Sequence, residues 1–535
     1  MSFAPTMMET PLTLDWIADR AERWNADGEV VSRRPDRSLS RTTYGALIPR
    51  ARRLARALVA AGVKPGDRVA TLMWNHAEHL EAYFGIPLAG AVIHTLNLRL
   101  HPDDIAFIAN DAGDRMLIVD DVLLPLYEKA VASGAKFEQV FVVGNADGHA
   151  SYEQLLAAAP NDPDVTLPAL RESDALGVCY TSGTTGRPKG VVYSHRSTLL
   201  HTLVVALPDS LNVARTDVML PVVPMFHVNA WGLPYVCAMT GAKLVMPGPY
   251  LDPPSLLELM QREHVTVAAG VPTIWIGIRD VLEQQPGKYQ LGDSIRMVVG
   301  GSAAPEQLIR DFDRLGLRLL HAWGMTETSP VGTVSRLSPA LERADLDTQY
   351  RQRAKQGRPV PLVELRVRND QGDVPSDGSA SGELLVRGPW IAAAYAGGHT
   401  PDRWTEDGYF RTGDVARIDE HGFIQLTDRI ADLIKSGGEW IATQELENAL
   451  MGHPSVKEAA VIGVAHPKWS ERPLAVVVLK DGATCSAEDL RGFLSSKFPK
   501  FWLPDAFEFV DAIPRTSAGK FKKTELRDKF RDYGW

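Results

Sequence analysis

The segment Tyr180-Thr-Ser-Gly-Thr-Thr-Gly-Arg-Pro-Lys-Gly190 concentrates groups suited to handling a polyphosphate. Gly183, Gly186 and Gly190 let the backbone approach a ligand without Cβ clashes, the hydroxyls of Thr181, Ser182, Thr184 and Thr185 offer hydrogen bonds, and Lys189 adds a positive charge. The spacing is not that of a Walker A loop, because Gly190 rather than Ser or Thr follows Lys189. On its own, a Gly/Thr-rich run also suits a plain turn. Other residues have plain readings too. Asp414, after a glycine, reads by itself as a turn-capping carboxylate. His227 and Trp231, four apart, would share one face of a helical turn, as a core aromatic contact or as a functional pair. Lys520, beside Lys522 and Lys523, is part of a frayed charged tail or a working cation.

Strands and helices must hold these groups. The run Ala175–Cys179 is a strand feeding the phosphate-type loop. Residues Thr43 to Gly62 read as an amphipathic helix, with Arg50, Arg52, Arg53 and Arg56 on a solvated face. Short β-branched runs (Arg68–Leu72, Met116–Val119, Gln139–Val143, Leu244–Met246) alternate with helical stretches (His79–Leu88, Pro254–Glu263), which argues for βαβ units and α/β layers. From about Pro359 strands dominate (Val363–Arg368, Gly382–Val386, Phe423–Leu426), and the polar run Asn369–Ser381 is a surface hairpin connection. After Asp428 comes a compact α+β pattern: a helix at Thr443–Met451, strands at Val456–Val464 and Leu474–Leu479, a helix capped by Ser486 with Asp489, and a strand at Ala506–Val510.

The chain has 535 residues, too many for one core, with 45% hydrophobic and 23% charged residues. That balance excludes wholesale disorder, a collagen-like repeat and a coiled coil. A net charge of −9 without an arginine-rich aromatic stripe argues against nucleic acid as a partner. Cys179, Cys237 and Cys485 lie far apart, excluding a disulfide scaffold and a thiolate zinc site and fitting a reducing cytoplasm. Met1 to Trp16 lacks the basic and apolar regions of a secretory signal, and no run is long and apolar enough to span a bilayer. The expected localisation is cytoplasmic.

The full string Tyr180–Gly190 closely resembles the phosphate-binding signature of the adenylate-forming superfamily, which includes acyl-CoA synthetases, firefly luciferase and peptide-synthetase adenylation domains. Seven further motifs follow in the family's order: Val223-Pro-Met-Phe-His-Val-Asn-Ala-Trp231, Gly300-Gly-Ser-Ala-Ala-Pro305, His321-Ala-Trp-Gly-Met-Thr-Glu-Thr-Ser-Pro330, Phe410-Arg-Thr-Gly-Asp414, Asp428-Arg429, Lys435-Ser-Gly-Gly-Glu-Trp440 and Pro514-Arg-Thr-Ser-Ala-Gly-Lys520. The His-Val-Asn-Ala-Trp and Lys-Ser-Gly-Gly-Glu-Trp strings are most similar to bacterial medium- and long-chain fatty acyl-CoA synthetases.

The resemblance implies an α/β fold: a large multi-lobed N-terminal body, residues 1–430, with α/β layers and a β-rich lobe, and a small mobile α+β C-terminal cap, residues 431–535. It implies an ATP- and Mg²⁺-dependent acid:CoA ligase that turns a medium- or long-chain fatty acid into acyl-AMP and then acyl-CoA, with coenzyme A as co-substrate. Its partners would be small molecules, and because fatty acyl relatives often dimerise through their N-terminal part, a homodimer. Carried over residue by residue, Thr181, Ser182, Gly183, Thr184, Thr185, Gly186 and Lys189 hold the phosphates. Ser302, His321, Ala322, Trp323 and Thr326 line the adenine slot. Asp414 binds the ribose, while Arg429, Lys435 and Trp440 complete the nucleotide site. Thr181 and Glu327 resemble the Mg²⁺ site. Lys520 matches the adenylation lysine and His227 lies by the carboxylate. Val228, Trp231, Gly301 and Met325 form the acyl pocket and its gate, and Ser436, Gly437, Gly438 and Glu439 the pantetheine tunnel.

Two positions depart from the family pattern. Ala431 stands where the hinge is usually Asp or Lys, and Trp323 stands where Tyr usually lies beside adenine, exchanging a phenol for an indole donor. Three alternatives remain open: a ligase for a shorter acid such as a methylthio-alkanoate, an adenylation module loading a carrier protein in trans, and a non-catalytic nucleotide-binding regulator.

Overall fold

A computed structural model describes residues 6–146, 148–160, 166–181, 187–293, 295–436, 439–516 and 520–535. Among the described residues, four sheets form. In the first, the strands run in the order Ala150–Ser151, Gln139–Val143, Asp114–Asp120, Arg68–Leu72, Val92–Thr95, Ala175–Tyr180 and Gly190–Ser194, parallel throughout except for the last pair. In the second, Arg318–Gly324, Arg296–Val299, Val267–Gly270, Val218–Pro221, Lys243–Met246 and Glu29–Arg33 are parallel neighbours, extended by antiparallel strands at both edges. Helices separate consecutive parallel strands, as a crossover connection requires, except between Gln139–Val143 and the short edge strand Ala150–Ser151. The expected α/β layers are present.

Local sequence explains several elements well. The helix Tyr44–Ala60 buries Leu47, Ala51, Leu54 and Leu58 at near-helical spacing. Its arginines are less free than a solvated face implies: Arg50 pairs with Glu81 and Glu153, and Arg52 with Asp19 and Glu22, so they tie neighbouring helices together. The Ser486 capping box is formed, with Ser486 Oγ accepting from Asp489 N at 3.2 Å.

The third sheet is antiparallel, in the order Gly372–Asp373, Glu364–Asn369, Gly382–Arg387, Phe410–Ile418 and Ile424–Arg429. The connection through residues 369–381 is the expected hairpin. The long strand Phe410–Ile418 was not evident from the sequence. It removes the turn-cap alternative for Asp414, which lies mid-strand, directly opposite Arg429. The fourth sheet joins Glu439–Ile441, Ile434–Ser436, Ser470–Leu479 and Val456–His466, with Ala506–Phe509 pairing parallel to Ser470–Leu479. Its two faces carry hydrophobic clusters made only of residues from Ile434 onward. One larger cluster instead runs through the first three sheets and binds them as a single body. No described helix is long and apolar enough to cross a membrane.

Candidate active site

Parallel sheets present ligand-binding loops at the carboxyl ends of their strands. Thr181 follows Ala175–Tyr180, the segment to His227 follows Val218–Pro221, Gly300–Ser302 follow Arg296–Val299, and Thr326 and Glu327 follow Arg318–Gly324. Topology thus brings to one end of the two sheets motifs that lie far apart in sequence.

Lys520 reaches this place from the C-terminal segment. Thr516 and Lys520 close on each other, Thr516 N donating to Lys520 O at 2.7 Å and Lys520 N to Thr516 Oγ1 at 3.2 Å. The lysine side chain is near Gly301, where an added Cβ would lie 3.9 Å from Lys520 Cε. Burial, joined by the positive Arg429, lowers the Lys520 ammonium to about 8, while Asp414 and Glu327 oppose the shift. A cation with a depressed pKa beside two carboxylates is suited to anions that have yet to arrive.

Asp414 is 4% exposed and held on both oxygens: Arg429 Nε lies 3.2 Å from Oδ1, and the Trp323 indole N–H donates to Oδ2 at 3.0 Å. The Arg429 contact is a cross-strand pair and follows from the register. Trp323 is itself buried, and Gly332 makes room for it, since a Cβ there would meet the ring at 2.6 Å. His321, buried and lowered to about 4 by that burial, faces the Ala354 carbonyl at 3.0 Å and is neutral at ordinary pH. Ala322 is buried beside it; Ser302 is exposed, and Met325 and Thr326 are half-buried.

Glu327 is buried and accepts a hydrogen bond of 2.5 Å from the Tyr395 hydroxyl. The Tyr395 ring lies 5.2 Å from Lys189 Nζ, which donates to Thr400 Oγ1 at 3.2 Å. Lys189 N in turn donates to Thr181 Oγ1 at 3.2 Å. Tyr395 therefore links the phosphate-type loop to Glu327. A carboxylate and a hydroxyl are hard oxygen donors that fit Mg²⁺, which takes few protein ligands and leaves the rest to phosphates. No cluster of three His, Cys, Asp or Glu exists among the described residues, so these offer no all-protein cage.

The segment at His227 and Trp231 corrects the sequence expectation of a right-handed helical turn. His227 is extended at φ −112°, and Val228, Asn229, Ala230 and Trp231 have φ of 46°, 50°, 47° and 58°. This is a left-handed turn built from L-residues, a conformation that costs about 1–2 kcal/mol per residue and persists only where surroundings impose it. Cys179 Sγ, 3.3 Å from Asn229 Oδ1, is one such contact, and Val228 and Trp231 are buried. The Trp231 ring lies against Gly300, where an added Cβ would be 3.1 Å from it. Burial first, then the positive Lys520 and Arg99, hold His227 down at about 4. Arg99, at 5.9 Å from the Phe226 ring centre, and Tyr395 went unnoticed in the sequence, because neither belongs to a recognisable string.

Some expected residues lie elsewhere. Along Phe410–Ile418, side chains alternate, with Asp414 facing inward and Val415 and Arg417 facing out. Trp440, 53% exposed, lines an outward cleft with Arg411, Val415 and Arg417, and Lys435 Nζ sits 5.5 Å from its ring. Lys435 and Trp440 are therefore not grouped with the nucleotide residues around Asp414. Ser436 is buried and accepts from Arg472 Nη1 at 3.0 Å. Ser182, Gly183, Thr184, Thr185, Gly186, Gly437, Gly438 and the Glu439 side chain lie outside the described residues. Ala431 sits after Arg429, its carbonyl accepting from Arg527 at 3.3 Å. Lys523, expected in a frayed tail, is half-buried instead, 2.7 Å from Glu447 and 2.6 Å from Thr443 Oγ1.

Comparison with known proteins agrees with this geometry. The AMP-binding enzyme family matches residues 17–396, and the AMP-binding enzyme C-terminal domain matches residues 445–520. A long-chain-fatty-acid–CoA ligase of Thermus thermophilus is 49% identical over 99% of this chain and 98% of its own. A 3-methylmercaptopropionyl-CoA ligase of Ruegeria pomeroyi is 42% identical over 98% of each. The crystal structure of the anthranilate CoA ligase AuaEII with anthranoyl-AMP superposes with a TM-score of 0.85 over 98% of each chain, at 25% identity. With matches of this extent to both parts of the chain, the chain belongs to the AMP-binding enzyme family.

Proposed function

We propose that the protein is an AMP-forming ligase that joins a medium- or long-chain fatty acid to coenzyme A. The observation that carries this reading is the 49% identity, over nearly the whole chain, to a long-chain-fatty-acid–CoA ligase. The meeting of Lys520, Asp414, Glu327 and Trp231 at one place supports it. In the first step a carboxylate oxygen attacks the α-phosphorus of ATP, the bond to the β-phosphate oxygen breaks, and pyrophosphate leaves. Lys520 holds the carboxylate against the α-phosphate and offsets the charge that builds between two anions. Asp414 accepts from the ribose hydroxyls, Trp323 walls the adenine, and Arg429 and Lys189 bind phosphate oxygens. His227, neutral at about pKa 4, orients the acid by hydrogen bonding rather than by charge. Thr181 and Glu327 would hold Mg²⁺, which when bound neutralises phosphate charge.

In the second step the CoA sulfur attacks the acyl carbon, the acyl–phosphate oxygen bond breaks, and AMP leaves. The body, residues 1–430, and the cap, residues 431–535, serve the two steps in turn, with Ala431 as pivot. The arrangement described here has Lys520 at the site and suits the first step. Ser436, Gly437, Gly438 and Glu439 serve the second, and Lys435 and Trp440 travel with them. A cytoplasmic setting fits these soluble substrates. A homodimer through the N-terminal region would cover Trp16 and Trp24, which are 54% and 72% exposed. The 42% identity to a 3-methylmercaptopropionyl-CoA ligase favours a second reading, a shorter acid. A panel of acids of increasing chain length, followed by pyrophosphate release with free CoA present, tests both. Turnover rising toward medium or long chains supports the fatty-acid reading, and best turnover on an acid of about four carbons or fewer replaces it with the second.

A further inference from the structure

The segment that delivers His227 has no regular structure of its own from Val222 onward, so its path is imposed by other elements. Asn75, at the carboxyl end of the strand Arg68–Leu72 in the other parallel sheet, is the main source of that constraint. It is 2% exposed and bonds the segment three times: Nδ2 donates to Pro221 O at 3.1 Å and to Val223 O at 3.0 Å, and Oδ1 accepts from Met225 N at 2.7 Å. One primary amide supplies two donors and an acceptor in one plane, a set that neither Asp nor Leu of similar size offers. Two further side chains continue the grip, Tyr83 donating its hydroxyl to Met225 O and Thr95 Oγ1 donating to Phe226 O at 3.4 Å.

The platform beneath Asn75 is equally fixed. Trp74 N donates to Asp120 Oδ2 at 2.8 Å, and His76 lies between Asp120 at 2.8 Å and Glu78 at 2.9 Å, the latter bound by Arg34 at 2.6 Å. Asn75 O accepts from Gly248 N at 3.2 Å, which ties the same loop to the second sheet. Asn75 thus stands on a charged, buried support and fixes the backbone two residues before His227.

We propose that Asn75 is a positioning residue for acid activation, acting through His227 and touching neither the acid nor the nucleotide. The proposal rests on the ligase reading given above. Its three bonds fix the path that places His227 beside Lys520, upstream of the left-handed turn that presses Trp231 on Gly300. ATP binding, which depends on strands of other elements around Asp414 and Trp323, is independent of it.

The test uses the full-length enzyme, ATP and Mg²⁺, with dodecanoic acid as the probe or the acid the wild type uses best. Asn75→Ala is expected to lower kcat/KM for the acid in pyrophosphate exchange by about 30-fold or more, while the Kd for ATP stays within about threefold. In a His227→Ala background the same change should cost less than about threefold, because the residue it positions is gone. Asn75→Asp keeps the acceptor for Met225 N but loses both donated bonds, and is expected to resemble Asn75→Ala. Equal losses with and without His227, a parallel loss of ATP affinity, or full acid turnover in folded Asn75→Ala would overturn the proposal. Should Asn75→Ala not fold, Tyr83→Phe removes one bond to Met225 O and is expected to act in the same direction by about threefold, again only when His227 is present. An unchanged acid kcat/KM in that variant would also overturn it. If the wild type shows no acid-dependent exchange, the ligase reading fails; an active wild type with an indifferent Asn75 fails the positioning role alone.

Discussion

Replacing Trp323 by Phe separates two functions of one side chain. In the proposed nucleotide site the ring would wall the adenine, and the indole N–H donates to Asp414 Oδ2 at 3.0 Å. Phenylalanine keeps most of the ring surface and loses the donor. A hydrogen bond to a charged group contributes about 1.5–3 kcal/mol, and Asp414 is 4% exposed, so water replaces the lost donor poorly. At 1.36 kcal/mol per tenfold, the KM for ATP should rise by about 10- to 150-fold. Part of any rise will come from the smaller ring, because the Gly332 side of the Trp323 pocket is left underfilled. The nucleotide sugar distinguishes the two. Acid-dependent pyrophosphate exchange would be measured with ATP and with 2′,3′-dideoxy-ATP, which has no hydroxyls for Asp414 to accept from. The N–H acts by orienting Asp414 toward those hydroxyls, so the mutational factor should shrink to about threefold or less with the dideoxy nucleotide. An equal factor for both nucleotides would refute the reasoning and reduce Trp323 to a packing surface.

Other outcomes follow from the same charges. With Lys520 lowered to about 8 in the free enzyme, kcat/KM for adenylation should fall above pH 8 as the ammonium loses its proton, whereas His227, near 4, should put no limb between pH 6 and 8. A profile flat from pH 7 to 10 would contradict the assignment. Lys520→Ala should abolish acid-dependent pyrophosphate exchange yet spare thioester formation from preformed acyl-AMP; equal loss in both assays would count against a two-pose cycle. Lys523→Met strands the buried Glu447, a loss of about 3–5 kcal/mol by analogy with broken buried pairs. Burial already raises Glu447 from 4.5 to about 7, so its charged form costs stability as pH rises through that window. The Tm loss, read by calorimetry, should therefore be larger at pH 8 than at pH 5.

Local patterning made much of the fold legible. Strand Gln139–Val143 and helix Thr443–Met451 are where alternation and helical spacing put them, because their apolar positions face one core. Asp414 was harder, since Arg-Thr-Gly-Asp reads as a turn by composition, and only pairing with Gly382–Arg387 and Ile424–Arg429 makes it a strand. The left-handed turn at 228–231 runs against propensity, because Val, Ala and Trp disfavour positive φ and tertiary contacts alone sustain it. Asn75, Arg99 and Tyr395 have no local signature at all. Each matters through partners far along the chain, from 68 residues for Tyr395 and Glu327 to 146 for Asn75 and Pro221, a distance over which a single sequence carries no pattern. Lys523 looked like solvated tail because its partner, Glu447, lies in a different helix.

The left-handed turn also bears on how the enzyme matures. A segment that is locally unfavourable gains nothing by forming early, and its supports come from both parallel sheets: Cys179 from one, and the Gly300 face from the other. During synthesis, the first sheet, ending at Ser194, leaves the ribosome before this segment, while Gly300 and Lys520 follow much later. A partly folded chain therefore carries the catalytic residues without their geometry, and activity becomes a sensitive report on completed assembly of the two sheets.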